Sequence, residues 1–433
     1  MNRRRNVKEK LALLGGPKAV TLPWPAYPVI GEEEVCAAVR TLLARQLSDT
    51  GRGGPVGEME DAYAKRFGVK HAVGFSSGTS AIHAALFAVG VRPGTEVLTA
   101  NHNWISGITA ILHAGGTPVL CDVKRGAFHI DPAEIRRKAG PHTKAVVVTH
   151  IWGLPADMDP IMKAARELGL AVIEDCSHAH GAVYKGRLVG TIGDIGCFSL
   201  QGSKAIVAGE GGVLVTNSRR LAQRALVPGH HPGRIGWALT LRDTKPFAQA
   251  GGMWTYRIMP VCAAIATAQL GKLDAFNAVR QANFDRLHGR LRKTVPFIRW
   301  PKLPPNSKRG WYSTPAFFTL EREGIPRNRF VEAVRAEGAP VGGEGYTDWS
   351  RIPLLQDMRL FSQMFVPRHA NGVGFRPVPP GALANNEWLR AHMMLFPVPA
   401  VESPALMDQV ADAVEKVASN LPAFARYKPK GRK

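Results

Sequence analysis

A chain of 433 residues, 45% hydrophobic and 21% charged, is long enough to bury two cores, and it lacks any apolar run near the ~20 residues of a membrane helix. Its five cysteines (Cys36, Cys121, Cys176, Cys197 and Cys262) are odd in number and dispersed, without zinc spacing. Together with a basic start followed only by the short apolar stretch Leu11–Leu14, they exclude a disulfide framework and a secretory signal and lead us to expect a cytoplasmic protein. The formal charge of +22, of which +9 sits in the two ends, reads first as solubility and frayed termini and second as attraction for anionic substrates or a phosphate cofactor; no aromatic–basic interleaving supports nucleic acid.

A basic arm over residues 1–22 gives way to the loop Trp24-Pro-Ala-Tyr-Pro28 and then to a helix, Glu32 to Leu47, with apolar residues at helical spacing. The glycine run Gly51–Gly57 lacks the preceding strand and the Gly-Lys-Ser/Thr ending of a phosphate loop, so it reads as a turn or a subunit contact before a helix over 58–67. From Ala72 strands and helices alternate: strands at 72–75, 96–100, 118–123, 145–149 and 171–175, with helices at 79–90, 105–114 and 158–168 and another starting at Asp131-Pro132. Uninterrupted β-branched runs such as Val146-Val-Val-Thr149 mark strands buried on both faces, hence a largely parallel sheet under helices. We expect an α/β large domain over 23–275, a smaller α+β domain over 276–425 and a basic tail over 426–433. Helices at 260–275, continuing to 291, at 328–336 and at 403–421, with a strand near 313–320, belong to the later part, where Tyr346–Ala384 reads as loop.

The chain is organised around Asp194–Gly212, a buried strand followed by Gly202-Ser-Lys204 and a Gly-Glu-Gly-Gly loop. A lone lysine there is most often a solvated side chain; its company changes the reading. Ser76-Ser-Gly-Thr-Ser80 joins a strand to a helix, where free backbone N–H groups and the helix dipole suit a phosphate. In that turn Gly78 permits close approach, and Thr79 and Ser80 offer hydroxyls, although the same pentapeptide is also an ordinary helix cap. Asp175 closes a buried strand and suits a protonated pyridine nitrogen, with helix capping as the plain alternative. Lys204, partly desolvated, suits bond formation with an aldehyde cofactor followed by acid/base work. Ser199 and Gln201 lie on the same segment within reach of the phosphate, His178 suits the ring oxygen, and Trp104 suits the ring face.

This series — Ser76–Ser80, Trp104, Glu174-Asp-Cys-Ser-His-Ala-His-Gly-Ala182, Phe198-Ser-Leu-Gln-Gly-Ser-Lys204 and Gly209-Glu-Gly-Gly212 — resembles the DegT/StrS family from about Leu13 to Leu421. The resemblance implies fold-type I architecture with a mainly parallel seven-stranded sheet and pyridoxal 5′-phosphate as cofactor. It implies that Lys204 is the Schiff-base lysine, Asp175 the partner of the pyridine nitrogen, Thr79 and Ser199 phosphate ligands, and Trp104 the stacking aromatic. His178 stands where the family often has glutamine. Tyr256-Arg257 resembles the stretch that reaches the neighbouring subunit's site, so a homodimer is implied. Two departures stand out: Thr255 replaces the usual asparagine that contacts the partner's phosphate, and Asn101-His-Asn103 is an unusual entrance segment.

The implied activity is transfer of an amino group from glutamine or glutamate to a keto sugar or a keto cyclitol of the inosose type, as in amino-sugar, aminocyclitol or antibiotic biosynthesis. Leu13-Leu-Gly-Gly16, Trp24–Pro28 and Phe198-Ser-Leu-Gln201 resemble the inosose branch most, with the aminohydroxybenzoate branch as rival. A sugar dehydratase relative is disfavoured because Lys204 stands where that branch has histidine. A non-catalytic regulatory protein of DegT type has only the basic ends in its favour.

Overall fold

The β-branched runs form the centre of the molecule. The computed structural model describes residues 10–249, 252, 254–320, 325–343 and 345–422. The basic stretches expected at 1–9 and 426–433 lie outside them. Strands β1 (His71–Phe75), β2 (Glu96–Ala100), β3 (Thr117–Cys121), β4 (Thr143–Thr149), β5 (Ala171–Asp175), β6 (Ile195–Ser199) and β7 (Gly212–Thr216) make one seven-stranded sheet in the order β1-β7-β6-β5-β4-β2-β3. β7 runs antiparallel to both its neighbours, β1 and β6; β3, β2, β4, β5 and β6 are mutually parallel. Helices cover both faces, so Val146, Val147 and Val148 are all buried whichever way they point.

The helices follow their local signals. α1 (Glu32–Leu43) carries three glutamates in its first turn, where the helix dipole favours them. α2 (Gly54–Phe67) starts earlier than the expected 58, because Pro55 sits in its first turn, where a missing N–H costs nothing. α3 (Gly78–Ala88) is capped by Ser77, and α4 (Ser106–His113), α5 (Pro132–Lys138) and α6 (Met158–Glu167) are the crossovers of the sheet. After the sheet come α7 (Arg219–Leu226) and α8 (Pro232–Ala238); the latter begins inside the turn expected at Gly229–Gly233, because Pro232 suits a first helical turn capped by His231.

α9 (Pro260–Thr294) is a single 35-residue helix, and the expected boundary at 275/276 falls inside it. It packs on α1 and α2 at one end and on the last helix at the other. Beyond it β8 (Ile298–Arg299), β9 (Thr314–Phe318) and a strand the sequence analysis did not anticipate, β10 (Met393–Phe396), form a three-stranded antiparallel sheet centred on β9. This sheet and the helices α10 (Arg327–Ala336) and Pro404–Ser419 enclose a second core. Leu11, Ala19 and Val20 belong to that core. The described part of the expected arm is therefore docked: Glu337, fully buried, accepts from the N–H groups of Ala12 at 2.7 Å and Ala19 at 3.1 Å. The stretch read as loop, 346–384, contains two single-turn helices, Pro353–Gln356 and Met358–Phe361, which bury Leu355 and Phe361 in a small apolar cluster with Ile108 and Leu112 of α4 and Leu120 of β3.

Candidate active site

Three sheet-derived termini meet at one cleft of about 350 Å³: the N-terminus of α3, the end of β5 and the turn after β6. The α3 terminus is built by a reciprocal cap. The Ser77 hydroxyl accepts from Ser80 N–H at 3.0 Å, and the Ser80 hydroxyl accepts from Ser77 N–H at 3.0 Å. Gly78 and Thr79, the first two helical residues, have no preceding carbonyl to bond, so their N–H groups face the cleft as free donors. A methyl group at Gly78 would stand 2.7 Å from the Ser199 Cβ, which is why glycine is needed for α3 and β6 to approach this closely.

Asp175 ends β5 at 3% exposure, and its carboxylate accepts from Ser177 N–H at 3.1 Å and from the Thr149 hydroxyl at 3.4 Å. The preceding Glu174 faces the opposite way and is saturated by His150 Nε2–H at 2.9 Å and by the N–H groups of Gly190, Ile192 and Gly193 at 2.6–2.8 Å. Burial pushes the Glu174 carboxyl up, but these donors outweigh it and hold the group below its usual range. Glu174 thus clamps the strand end that presents Asp175.

Lys204 projects from a turn closed by its own N–H to the Gln201 carbonyl at 2.8 Å. Gln201 spends its side-chain oxygen inside that turn, on Ser203 N–H at 2.9 Å and the Ser203 hydroxyl at 2.6 Å. The Lys204 ammonium lies 4.3 Å from the centre of the Tyr312 ring. Burial lowers the Lys204 amine below its ordinary value, with Tyr312 and Asp175 pulling the other way. Ser199 lines the cleft, and Trp104, 48% exposed, forms part of its rim.

His178 lines the cleft at 2% exposure. Its Nδ1 accepts from Trp152 N–H at 3.3 Å, so in the neutral ring Nε2 carries the proton and donates to the Tyr346 oxygen at 3.0 Å. Burial, and then the Lys204 charge, keep His178 neutral by lowering its pKa well below the ordinary value. The Tyr346 phenol, raised by burial, keeps its proton for Tyr312. Burial alone would raise the Tyr312 phenol too. Lys204 beside it and the Tyr346 donor hold it below its usual range instead. The donors therefore run in one direction, from His178 through Tyr346 to Tyr312, and end beside Lys204.

Neither tyrosine was singled out from the sequence. Tyr346 reaches the site because the Asn101-His-Asn103 segment anchors its loop: Asn101 donates to Asp348 at 2.8 Å and accepts from Ser350 N–H at 2.9 Å, while the Asn103 carbonyl accepts from the Trp349 indole at 2.7 Å. Trp152, in a left-handed backbone conformation (φ 58°), stacks on Tyr346 at 4.7 Å and donates its indole N–H to His102 at 3.0 Å.

Of the residues expected at the site, Lys204, Asp175, His178, Gly78, Thr79, Trp104, Ser199 and Gln201 line the cleft. Ser80 does not: its hydroxyl is spent in the cap of α3, bonding the Ser77 carbonyl at 2.8 Å and the Ser77 N–H. Thr255, expected toward a neighbouring subunit's phosphate, is exposed on the surface of its own chain, and the adjoining Tyr256 joins its carbonyl to Ser76 N–H at 2.6 Å and its hydroxyl to His83 at 3.0 Å.

The profile of the DegT/DnrJ/EryC1/StrS aminotransferase family matches residues 29–346. A Micromonospora echinospora protein, provisionally named L-glutamine:3-amino-2,3-dideoxy-scyllo-inosose aminotransferase, is 33% identical over 96% of this chain and 99% of its own length. The L-glutamine:2-deoxy-scyllo-inosose aminotransferase of Streptoalloteichus tenebrarius is 32% identical over 76% of this chain and 80% of its own. Among solved structures, an aminotransferase from Psychrobacter cryohalolentis superposes with a TM-score of 0.81 at 25% identity, covering 92% of this chain and all of that one. The mostly parallel sheet, the capped α3 terminus and the cleft lined by both Asp175 and Lys204 are thus found in a chain that belongs to the DegT/DnrJ/EryC1/StrS aminotransferase family.

Proposed function

We propose that the chain is a pyridoxal 5′-phosphate-dependent aminotransferase that moves the amine of glutamine or glutamate to a keto cyclitol or keto sugar. The observation that carries this reading is the convergence, in one cleft, of free α3 N–H donors, a buried carboxylate and a desolvated lysine. These groups fit a phosphate, a protonated ring nitrogen and an aldehyde respectively. Bound there, the cofactor supplies an electron-accepting ring that lets an amine pass between two carbon skeletons.

The chain's own groups do the rest. Gly78 and Thr79 N–H groups, with the Ser199 hydroxyl, would hold the phosphate, and Asp175 would keep the ring nitrogen protonated. Trp104 would cover one ring face and exclude water. The Lys204 amine would take the proton from the donor's α-carbon and deliver it on the other side of the transfer, and Tyr312, already below its usual range, would accept or return that proton without leaving the cleft. The inosose relatives favour a cyclitol acceptor.

Two further features belong to the reading. The outer face of α1 exposes Val35 (53%), Leu42 (51%) and Leu43 (79%), an apolar stripe suited to a second copy of the chain. No helix among the described residues is long and apolar enough to cross a membrane, and a cytoplasmic biosynthetic enzyme is the setting we assign.

The test is a half-reaction. Cofactor-loaded protein is mixed with L-glutamine, L-glutamate or L-alanine, and the visible absorbance of the cofactor is followed; the aminated product is then offered inososes, nucleotide keto sugars and the aminohydroxybenzoate precursor. Donor-dependent loss of absorbance, absent in Lys204→Ala, is expected. Bound cofactor that responds to no donor would refute the assignment.

A further inference from the structure

The segment ahead of α1 crosses from the second core to the turn that bears Lys204. Near its start the Val20 N–H bonds the Glu337 carbonyl at 2.9 Å, and the N–H groups of Thr21 and Leu22 share the Gln409 side-chain oxygen at 2.9 and 3.0 Å. Near its end Gln269, on α9, donates to the Val29 carbonyl at 3.0 Å. Between these anchors the Tyr27 hydroxyl meets the carbonyl oxygen of Lys204. A carbonyl only accepts, so the phenol is the donor. Arg280, also on α9, donates to the same phenol oxygen at 3.4 Å and so leaves the phenol proton to Lys204. Burial raises the Tyr27 phenol above its ordinary value, with Arg280 pulling the other way, and the proton stays on at neutral pH.

The contact matters because little else holds this peptide. Lys204 stands between β6 and β7, outside any helix or strand. Its N–H closes the turn onto the Gln201 carbonyl at 2.8 Å, and the next backbone bonds along the segment run from Ala208 N–H to Leu200 and from Leu200 N–H to Gly211, at 2.8 and 2.9 Å. Among the described residues no backbone N–H reaches the Lys204 carbonyl. The Tyr27 hydroxyl is therefore the second handle on that peptide, and it comes from a segment tied to the other lobe. A lysine stem is long and flexible, so where its amine arrives depends on how firmly the backbone beneath it is fixed.

We propose that Tyr27 is a positioning residue for Lys204: its hydroxyl fixes the lysine's peptide so that the amine meets the aldehyde of the cofactor. The aldehyde rests on the pyridoxal phosphate reading given above; the Tyr27–Lys204 contact does not. Tyr27 is not among the residues lining the cleft, so it acts on the cofactor through the lysine. The segment ahead of α1 thereby belongs to the working site although it carries none of its lining.

Cofactor-free, full-length protein is titrated with pyridoxal 5′-phosphate and, separately, with pyridoxamine 5′-phosphate. The Lys204 amine condenses with the aldehyde of the first, a C=N bond forming as water leaves. The second carries an amine and no aldehyde, so it reports the phosphate and ring contacts alone. Tyr27→Phe keeps the ring and removes the donor. Loss of that one hydrogen bond should weaken the pyridoxal form by roughly two- to tenfold and leave the pyridoxamine form unchanged. In a Lys204→Ala background the same substitution should change neither affinity. Equal affinity of Tyr27→Phe and the unaltered protein for the pyridoxal form overturns the inference. So does an equal loss for both forms, which is what a general distortion of the site would give, and so does an effect of Tyr27→Phe that persists without Lys204. Unaltered protein that takes up neither form overturns the cofactor reading and this inference together. Protein that shows the expected split but accepts an amine from no donor keeps the role of Tyr27 and loses the aminotransferase reading.

Discussion

Gly78→Ala puts one methyl group between α3 and β6 and so probes the phosphate cradle directly. The added carbon would meet the Ser199 Cβ at 2.7 Å, the Ser199 Cα at 3.2 Å and the Ser177 hydroxyl at 3.3 Å. Carbon atoms pack best at about 3.5–4.0 Å, so the closest contact is roughly 1 Å too short. Ser199 cannot swing away, because the obstructing atoms are attached to a buried strand paired on both sides. The helix terminus must move instead, carrying the Gly78 and Thr79 N–H groups with it. Overpacking of this kind costs about 1–3 kcal/mol, against a helix-propensity gain of at most about 1 kcal/mol for alanine over glycine. We expect that cost to appear as a 5- to 100-fold weaker cofactor affinity, roughly 1–3 kcal/mol, with a smaller loss of thermal stability. The assays are an absorbance titration of cofactor-free protein and a melting curve in its absence. Unchanged affinity and unchanged melting together would refute the claim that contact with Ser199 sets the position of the α3 terminus.

Tyr346→Phe removes the donor to the Tyr312 oxygen and leaves the His178 Nε2–H without its acceptor. The Tyr312 phenol should rise, so the pH profile of the donor half-reaction moves to higher pH; a profile that only falls in height would show that Tyr346 acts by shape alone. Glu60 is fully buried and accepts from Arg234 twice, from Gly74 N–H at 2.8 Å and from Arg52 at 2.8 Å. Glu60→Gln should cost about 3–5 kcal/mol in urea unfolding, as breaking a buried ion pair does, and a loss below about 1 kcal/mol would mean the arginines find water. Because the folded Glu174 carboxyl sits below its usual value, its stabilisation is present above the ordinary glutamate pKa of about 4.3 and is lost as pH falls through the lowered folded value. The melting temperature should fall on acidification in that window, and less steeply in Glu174→Gln; parallel curves would assign the acid sensitivity to other groups.

The seven strands were legible because burial on both faces demands short, nearly unbroken apolar runs, of which Val146-Val-Val-Thr149 and Val213-Leu-Val-Thr216 are the clearest. The lining of the cleft was legible for a related reason: Gly78, Asp175 and Lys204 sit at a helix start, a strand end and the turn after a strand, each marked by its local residues. Ser80 misled because a hydroxyl near a helix start serves a cap as readily as a phosphate, and here the cap takes it. Tyr346 and Tyr312 were invisible for a different reason. Each enters the site by a long-range return of the chain, and no local pattern distinguishes it from a surface tyrosine. Tyr346 in addition sits in a Pro-, Gly- and Arg-rich stretch that reads as loop, and only its anchoring to Asn101 and Asn103 makes it part of a wall. The docking of residues 11–20 depended on Glu337, which no reading of the N-terminal segment could supply.

The unbroken course of α9 constrains how substrates come and go. A helix of 35 residues rises roughly 50 Å, and here it is gripped near its start by α1 and α2 and near its end by the Pro404–Ser419 helix. Rotation of one lobe against the other needs a hinge, a few residues free to absorb a large change in φ and ψ. A continuous helical hydrogen-bond ladder gives no such residues. The lobes are better described as two ends of a single strut, so opening of the cleft falls to pieces of its wall smaller than a lobe, such as the loop that carries Tyr346, Asp348 and Trp349 and is bonded to His178, Asn101 and Asn103.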